Sequence, residues 1–337
     1  METIAYSTTV RKKIYRLLAA GVMALMGATG VAVVGNDYRI VEERLSIDVA
    51  GGSLAAVLAR PRGGAAKGLV VMVHGDGPVE ATHDGLYRPW FEAAADAGFA
   101  TLSWSKPANW LTQSMADRAG EVGAAIDWAR RRADVPTGAV VLWGASQAGW
   151  VLPKVAAARD DLAGIVAVGP AVNWLRQGRY NLLAEMRGAS AEDRERAVAI
   201  SDQTRRLLEE GADYATYRAA TGDPEPMDAA RWEFVKLNYR ADATEDLIAS
   251  REKHVPVLLM LGNHDLHVDV TETADTYQRI LGRDVRVERF DAAHSMARPV
   301  MENSAVAGLA TGILWPRALL AEGVLDQYRS YLEQVAT

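Results

Sequence analysis

Hydrophobic and polar positions alternate over residues 39–49 and again over 53–60. A period of two repeated on either side of Gly51-Gly52 predicts an antiparallel hairpin. After residue 60 the pattern changes. Short apolar runs recur at 68–73, 99–105, 140–143, 164–168 and 255–261, with a further strand-like stretch at 285–290. Runs of this length suit strands buried on both faces of a sheet. Between them, residues 86–97, 113–132, 147–158 and 271–282 carry helical spacing, and 317–335 predicts a last amphipathic helix. Strand–helix alternation of this kind implies an α/β fold, with a mostly parallel central sheet covered by helices on both faces.

One block exceeds what a strand–helix repeat requires. Residues 171–251 are rich in Ala, Arg, Glu and Leu and poor in strand signals, so they predict a helical lid inserted after the strand that ends at Pro170. Its aromatic residues Trp174, Tyr180, Tyr214, Tyr217, Trp232 and Tyr239 are expected mostly to pack the lid against the body, with some left to wall a pocket. No Gly/Ser linker, internal repeat or low-complexity tract divides residues 37–337, so the lid is expected to be part of one domain.

The chemistry gathers in loops that follow strands. Gly144-Ala145-Ser146-Gln147-Ala148-Gly149 leads from the run at 140–143 into a helical stretch. A serine on such a turn has its hydroxyl lifted clear of the backbone, and small neighbours let the turn close. The run at 255–261 ends in Gly262-Asn263-His264-Asp265, and the stretch at 285–290 ends in Asp291-Ala292-Ala293-His294. Ser146, Asp265 and His294 thus follow separate strands, at the edge where open α/β sheets collect functional groups. Serine hydroxyls need a base, for which His294 is the candidate, and Asp265 would fix the imidazole tautomer. Asp269 and Asp291 are weaker choices for the acid: one lies further from the strand end, the other too close in sequence to His294. An oxyanion would take one N–H from Gln147, the residue after the serine, and one from the loop His74-Gly75-Asp76-Gly77-Pro78. Asp76 is the expected second donor, with Gly75 as the alternative. His74 is read as a tether for that loop rather than a catalytic group. A metal cluster at His264, Asp265, His267 and Asp269 is disfavoured, because alternation along the loop would send the two imidazoles in different directions.

The heptapeptide Gly-Ala-Ser-Gln-Ala-Gly-Trp at 144–150, the pentapeptide at 74–78 and the order Ser146, Asp265, His294 resemble the α/β-hydrolase superfamily. The similarity is greatest to bacterial esterases and serine hydrolases with His-Gly-Ser-Gly-Pro and Gly-x-Ser-Gln-Gly-Gly motifs, over roughly residues 40–335. It implies a serine hydrolase that cleaves carboxylic esters through an acyl-enzyme and needs no cofactor and no metal. A thioesterase, an aminopeptidase or amidase, and a ligand-binding protein on the same scaffold are the alternatives. Two departures stand out. Ala148 replaces a glycine, suggesting a slightly tighter elbow, and Asp76 replaces a serine, so its carboxylate is expected to turn away from the oxyanion.

Composition narrows the remaining choices. With 337 residues and 49% apolar content the chain can bury a sizeable core. A net charge of −6 offers no basic footprint for nucleic acid, and the absence of cysteine excludes disulfides, thiolate–zinc sites and a thiol nucleophile. At the N-terminus Arg11, Lys12, Lys13 and Arg16 precede an uncharged run over 17–35. At about 1.5 Å per residue such a run reaches about 28 Å, enough to cross a hydrocarbon core. Residues 1–36 are therefore expected to be a signal peptide or membrane anchor, with the catalytic domain exported and either anchored or released.

Overall fold

The computed structural model describes residues 30–49 and 52–336. Residues 1–29, most of the expected N-terminal signal or anchor, lie outside them. The remainder of that segment, 30–35, is helical. Among the described residues no helix is long and apolar enough to cross a membrane.

Eight strands form one sheet: β1 (Ile40–Val49), β2 (Gly52–Pro61), β3 (Gly68–Val73), β4 (Phe99–Trp104), β5 (Val140–Ala145), β6 (Gly164–Val168), β7 (Val257–Gly262) and β8 (Val285–Phe290). Their spatial order is β1-β2-β4-β3-β5-β6-β7-β8. The hairpin β1–β2 and the pair β2–β4 are antiparallel, and every other pair is parallel. The apolar runs occupy the middle of the sheet, where strands are covered twice. Alternation splits each of them between two cores. Leu69, Val71 and Val73 pack on one face, Val70 and Met72 on the other, and Leu259 and Leu261 likewise oppose Leu258 and Met260.

Helices α1 (Arg88–Asp96), α2 (Met115–Arg130), α3 (Leu152–Ala158), α9 (Val270–Leu281) and α12 (Val324–Val335) cover the sheet. Local sequence sets their starts. Ser114 and Asp117 form a reciprocal capping box on α2, and Asp269 caps α9 by accepting from the Thr271 and Glu272 N–H groups. Asp269, the rival acid, is thereby committed to a helix start. Two expected helices begin five or more residues late. Residues 146–150 form a 3₁₀ turn ahead of α3, which begins with Pro153 in its first turn. The segment at 317–335 is interrupted by Gly323, whose φ of +80° ends one turn and opens α12.

Between β6 and β7 the chain forms α4 (Trp174–Glu185), α5 (Ala191–Glu209), α6 (Tyr214–Ala220), α7 (Ala229–Asn238) and α8 (Thr244–Arg251). Asn173, Ser190, Asp213 and Asp228 cap the first four of these. Most of the insertion's aromatics stabilise it from within. Tyr217 and Trp232 are buried and stacked, with ring centroids 4.2 Å apart. A second excursion follows β8, where α10 (Pro299–Glu302) and α11 (Ala305–Leu314) project from the body.

Candidate active site

The C-terminal ends of β3, β5, β6, β7 and β8 open onto one cavity of about 1010 Å³. Ser146 is on its wall, at the first position after β5, with φ of +55°. This left-handed backbone is costly for a residue with a Cβ, and it persists only because the surroundings enforce it. A Cβ at Gly144 would lie 2.7 Å from Cβ of Ala148, and one at Gly149 would lie 2.7 Å from the Ala171 nitrogen. The alanine at 148 is therefore fully buried in the space that Gly144 leaves. Ala171 N–H donates to the Ser146 carbonyl at 3.1 Å, tying the turn to the end of β6.

Asp265 and His294 come together because the loops after β7 and β8 are knitted by backbone hydrogen bonds. Asn263 N–H donates to Phe290 O and His264 N–H to Ala292 O, each at 2.9 Å. Across that seam His294 Nδ1 lies 2.7 Å from Asp265 Oδ2. The other carboxylate oxygen accepts from the His267 and Val268 N–H groups at 2.8 Å each. The Asp265 side chain is wholly shielded from solvent, whereas His294 is 18% exposed and lines the cavity with Ser146. Gly169, φ +48°, closes the floor. A Cβ there would be 3.2 Å from His294 Nδ1. Asp291 lies apart, paired with His264 at the surface, whereas His267 lines the cavity with its ring 5.0 Å from that of His294.

Gly75 touches the serine turn, where a Cβ would stand 3.3 Å from Cβ of Ser146. Neither the Gly75 nor the Asp76 N–H takes an acceptor among the described residues. Gln147 is the second residue of its 3₁₀ turn, ahead of the first internal hydrogen bond. His74 is buried, and its Nε2 donates to the Trp104 carbonyl at 2.6 Å. Burial drives its imidazole down to about 3, so it is neutral and tethers the loop.

Three cations frame this loop, none of them singled out by the sequence. Arg118 is buried; it donates to the His74 carbonyl at 2.6 Å and to the Gln147 side-chain oxygen. Lys106 donates to the Gly75 carbonyl at 2.5 Å, and burial together with the nearby Arg118 charge pushes its ammonium down to about 7. Arg231 of α7 makes a two-pronged contact with Asp76, at 2.6 and 3.0 Å, and the Gln147 amide donates to the same carboxylate at 3.0 Å. Burial raises the Asp76 carboxyl, but Arg231 outweighs it and holds the group below its ordinary value. Asp76 lines the cavity, and its carboxylate is engaged by Arg231 of the insertion and by the Gln147 amide. Arg118 carried a sequence signal: it lies three residues after Met115 and four before Val122, in the buried stripe of α2. Lys106 and Arg231 carried none, since their partners lie far away in sequence.

Of the insertion's aromatics, Trp174 reaches the cavity, stacked on Trp150 with centroids 4.9 Å apart. Tyr180 instead donates to the Asp265 carbonyl at 2.9 Å. Among the described residues no group of three or more His, Asp or Glu side chains is arranged to hold a metal ion.

This arrangement is the α/β-hydrolase fold. An esterase of Pyrococcus furiosus superposes with a TM-score of 0.54 at 14% identity, over 88% of this chain and 90% of that one. An esterase of Rhizomucor miehei gives 0.55 at 16%, over 90% and 87%, and Est1E from Butyrivibrio proteoclasticus gives 0.53 at 16%, over 87% and 99%. No family model and no curated protein matches the sequence.

Proposed function

We propose that the protein is a serine hydrolase that cleaves carboxylic esters through an acyl-enzyme. One observation carries the reading: a shielded carboxylate holds the His294 ring at 2.7 Å on the wall of the cavity that also exposes the strained Ser146. In the first step Ser146 Oγ bonds to the ester carbonyl carbon while its proton passes to His294 Nε2. Asp265 accepts from Nδ1–H and stabilises the imidazolium. The carbonyl oxygen, now an anion, takes hydrogen bonds from the Gln147 N–H and the Asp76 or Gly75 N–H. His294 then returns the proton to the departing alkoxide. A water repeats the sequence on the acyl-enzyme, releasing the acid and restoring Ser146.

Ester rather than thioester or amide specificity rests on the esterases that share the fold. The insertion acts as a lid that shapes the acyl pocket through Trp174. The N-terminal run over 17–35 exports the chain and holds or releases it outside the cytoplasmic membrane. A fluorophosphonate tests the chemistry. Stoichiometric labelling at Ser146, abolished in Ser146→Ala and slowed at least a hundredfold in His294→Ala, is expected. A chain that binds aryl esters but refuses the probe would be a receptor, and the reading would fall.

A further inference from the structure

Helix α11 has no polar face. From Asn303 to Pro316 the chain carries no charge, and Thr311 is the one hydroxyl within the helix. A helix that is apolar all round is ordinarily buried, yet none of its residues is. Val306 is 79% exposed, Leu309 67% and Ile313 58%, and Val300 beside them is 59% exposed. A contiguous apolar surface of this kind marks an interaction site. Two further features say what covers it. The helical segment 30–35 abuts the end of α11: Asn36 Nδ2 donates to Ile313 O at 2.9 Å, and Arg317 donates to Gly35 O at 2.6 Å. That segment exposes Val31, Val33 and Val34, and it is the end of the uncharged run over 17–35. Leu309 and Ile313 also line the cavity that holds Ser146 and His294.

We propose that α10, α11 and residues 30–35 form one docking surface for a lipid bilayer, so that the cavity opens onto the membrane and draws long-chain acyl esters from it. The run that ends at this surface is long enough to span a hydrocarbon core, which favours lipid over a second copy of the chain as the occupant. Valine and leucine on the exposed side of the helix suit the hydrocarbon, and Trp315 at its end suits the membrane–water interface. The substrate class rests on the hydrolase reading; the docking does not.

Because the chain has no cysteine, Val306→Cys gives a unique nitroxide site in the full-length protein. In phosphatidylcholine–phosphatidylglycerol vesicles the label should be several-fold more accessible to oxygen than to a nickel chelate. Greater access to the chelate would place the helix in water, and shielding from both would mean that protein covers it; either result overturns the proposal. Separately, Val300→Glu with Val306→Glu should lower hydrolysis of vesicle-borne p-nitrophenyl palmitate at least tenfold and leave soluble p-nitrophenyl acetate unchanged. Equal rates on both substrates, or equal losses, would also overturn it. If Ser146 refuses the fluorophosphonate, the hydrolase reading fails while the nitroxide still reports docking.

Discussion

Replacing Asp265 by asparagine changes one atom of a shielded side chain, and the surroundings dictate the outcome. Oδ1 is pinned by two backbone N–H groups at 2.8 Å each, so the amide oxygen must take that place. The opposite orientation would turn the new NH₂ on both N–H groups, the Val268 one buried and the His267 one part-buried, at about 1–3 kcal/mol for each acceptor lost. At the lower end of that range the flipped form is no more than about a few per cent of molecules. The new NH₂ then faces His294 Nδ1 across the 2.7 Å contact and can only donate. The imidazole is forced to carry its proton on Nε2, where it cannot accept one from Ser146. A tautomer error of this kind costs about 10⁴ in kcat, or about 5.4 kcal/mol of barrier. Steady-state hydrolysis of p-nitrophenyl acetate near pH 8 reads the effect, and calorimetry checks that the fold survives. A well-folded Asp265→Asn variant within about tenfold of the native kcat would refute the tautomer argument, since the residual correct form could not supply that rate.

Three other outcomes follow from the same geometry. Arg231→Met should slow turnover about tenfold, ~1.4 kcal/mol of barrier, by leaving the Asp76 carboxylate without its paired guanidinium beside the proposed oxyanion donors; adding Asp76→Asn should restore it, and no rescue would exclude that cause. The Lys106 ammonium is held down to about 7 in the folded chain against 10.5 ordinarily. Between those values the unfolded chain binds a proton that the folded one lacks, so this group's stabilisation is full above 10.5 and lost as pH falls through about 7. Lys106→Met should therefore flatten the rise in Tm over that window, and an undiminished slope would contradict the assignment. Gly169→Ala must hold φ of +48° and bring a Cβ to 3.2 Å from His294 Nδ1; urea unfolding should show about 1–2 kcal/mol lost, with kcat falling as well, and an unaffected kcat would mean the ring has room to move.

The sheet was legible because each buried strand is a short apolar run closed by a turn residue, and β6 and β8 fall on their expected bounds. Ser146, Asp265 and His294 were picked from the loops that follow such runs, and the fold sets His294 against Asp265 on the cavity that Ser146 also lines. What escaped notice lacked a local signature. An α11 that is apolar throughout has no amphipathic period, so nothing separates it from the loop around it. Arg231 reads as one more polar position on α7, and its meaning comes from Asp76, 155 residues away. The split of 317–335 turns on Gly323 taking a left-handed φ, which composition permits but does not require.

Because β6 and β7 are adjacent and in register, the chain can leave the sheet at Pro170 and return at Val257 without altering the strand ends between which it loops. Residues 171–256 form one insertion, which meets the site through Ala171, Trp174, Gln177, Tyr180, Asn181 and Arg231. Exchanging its outer helices while keeping those contacts would vary the cavity wall and leave the strand ends where they are.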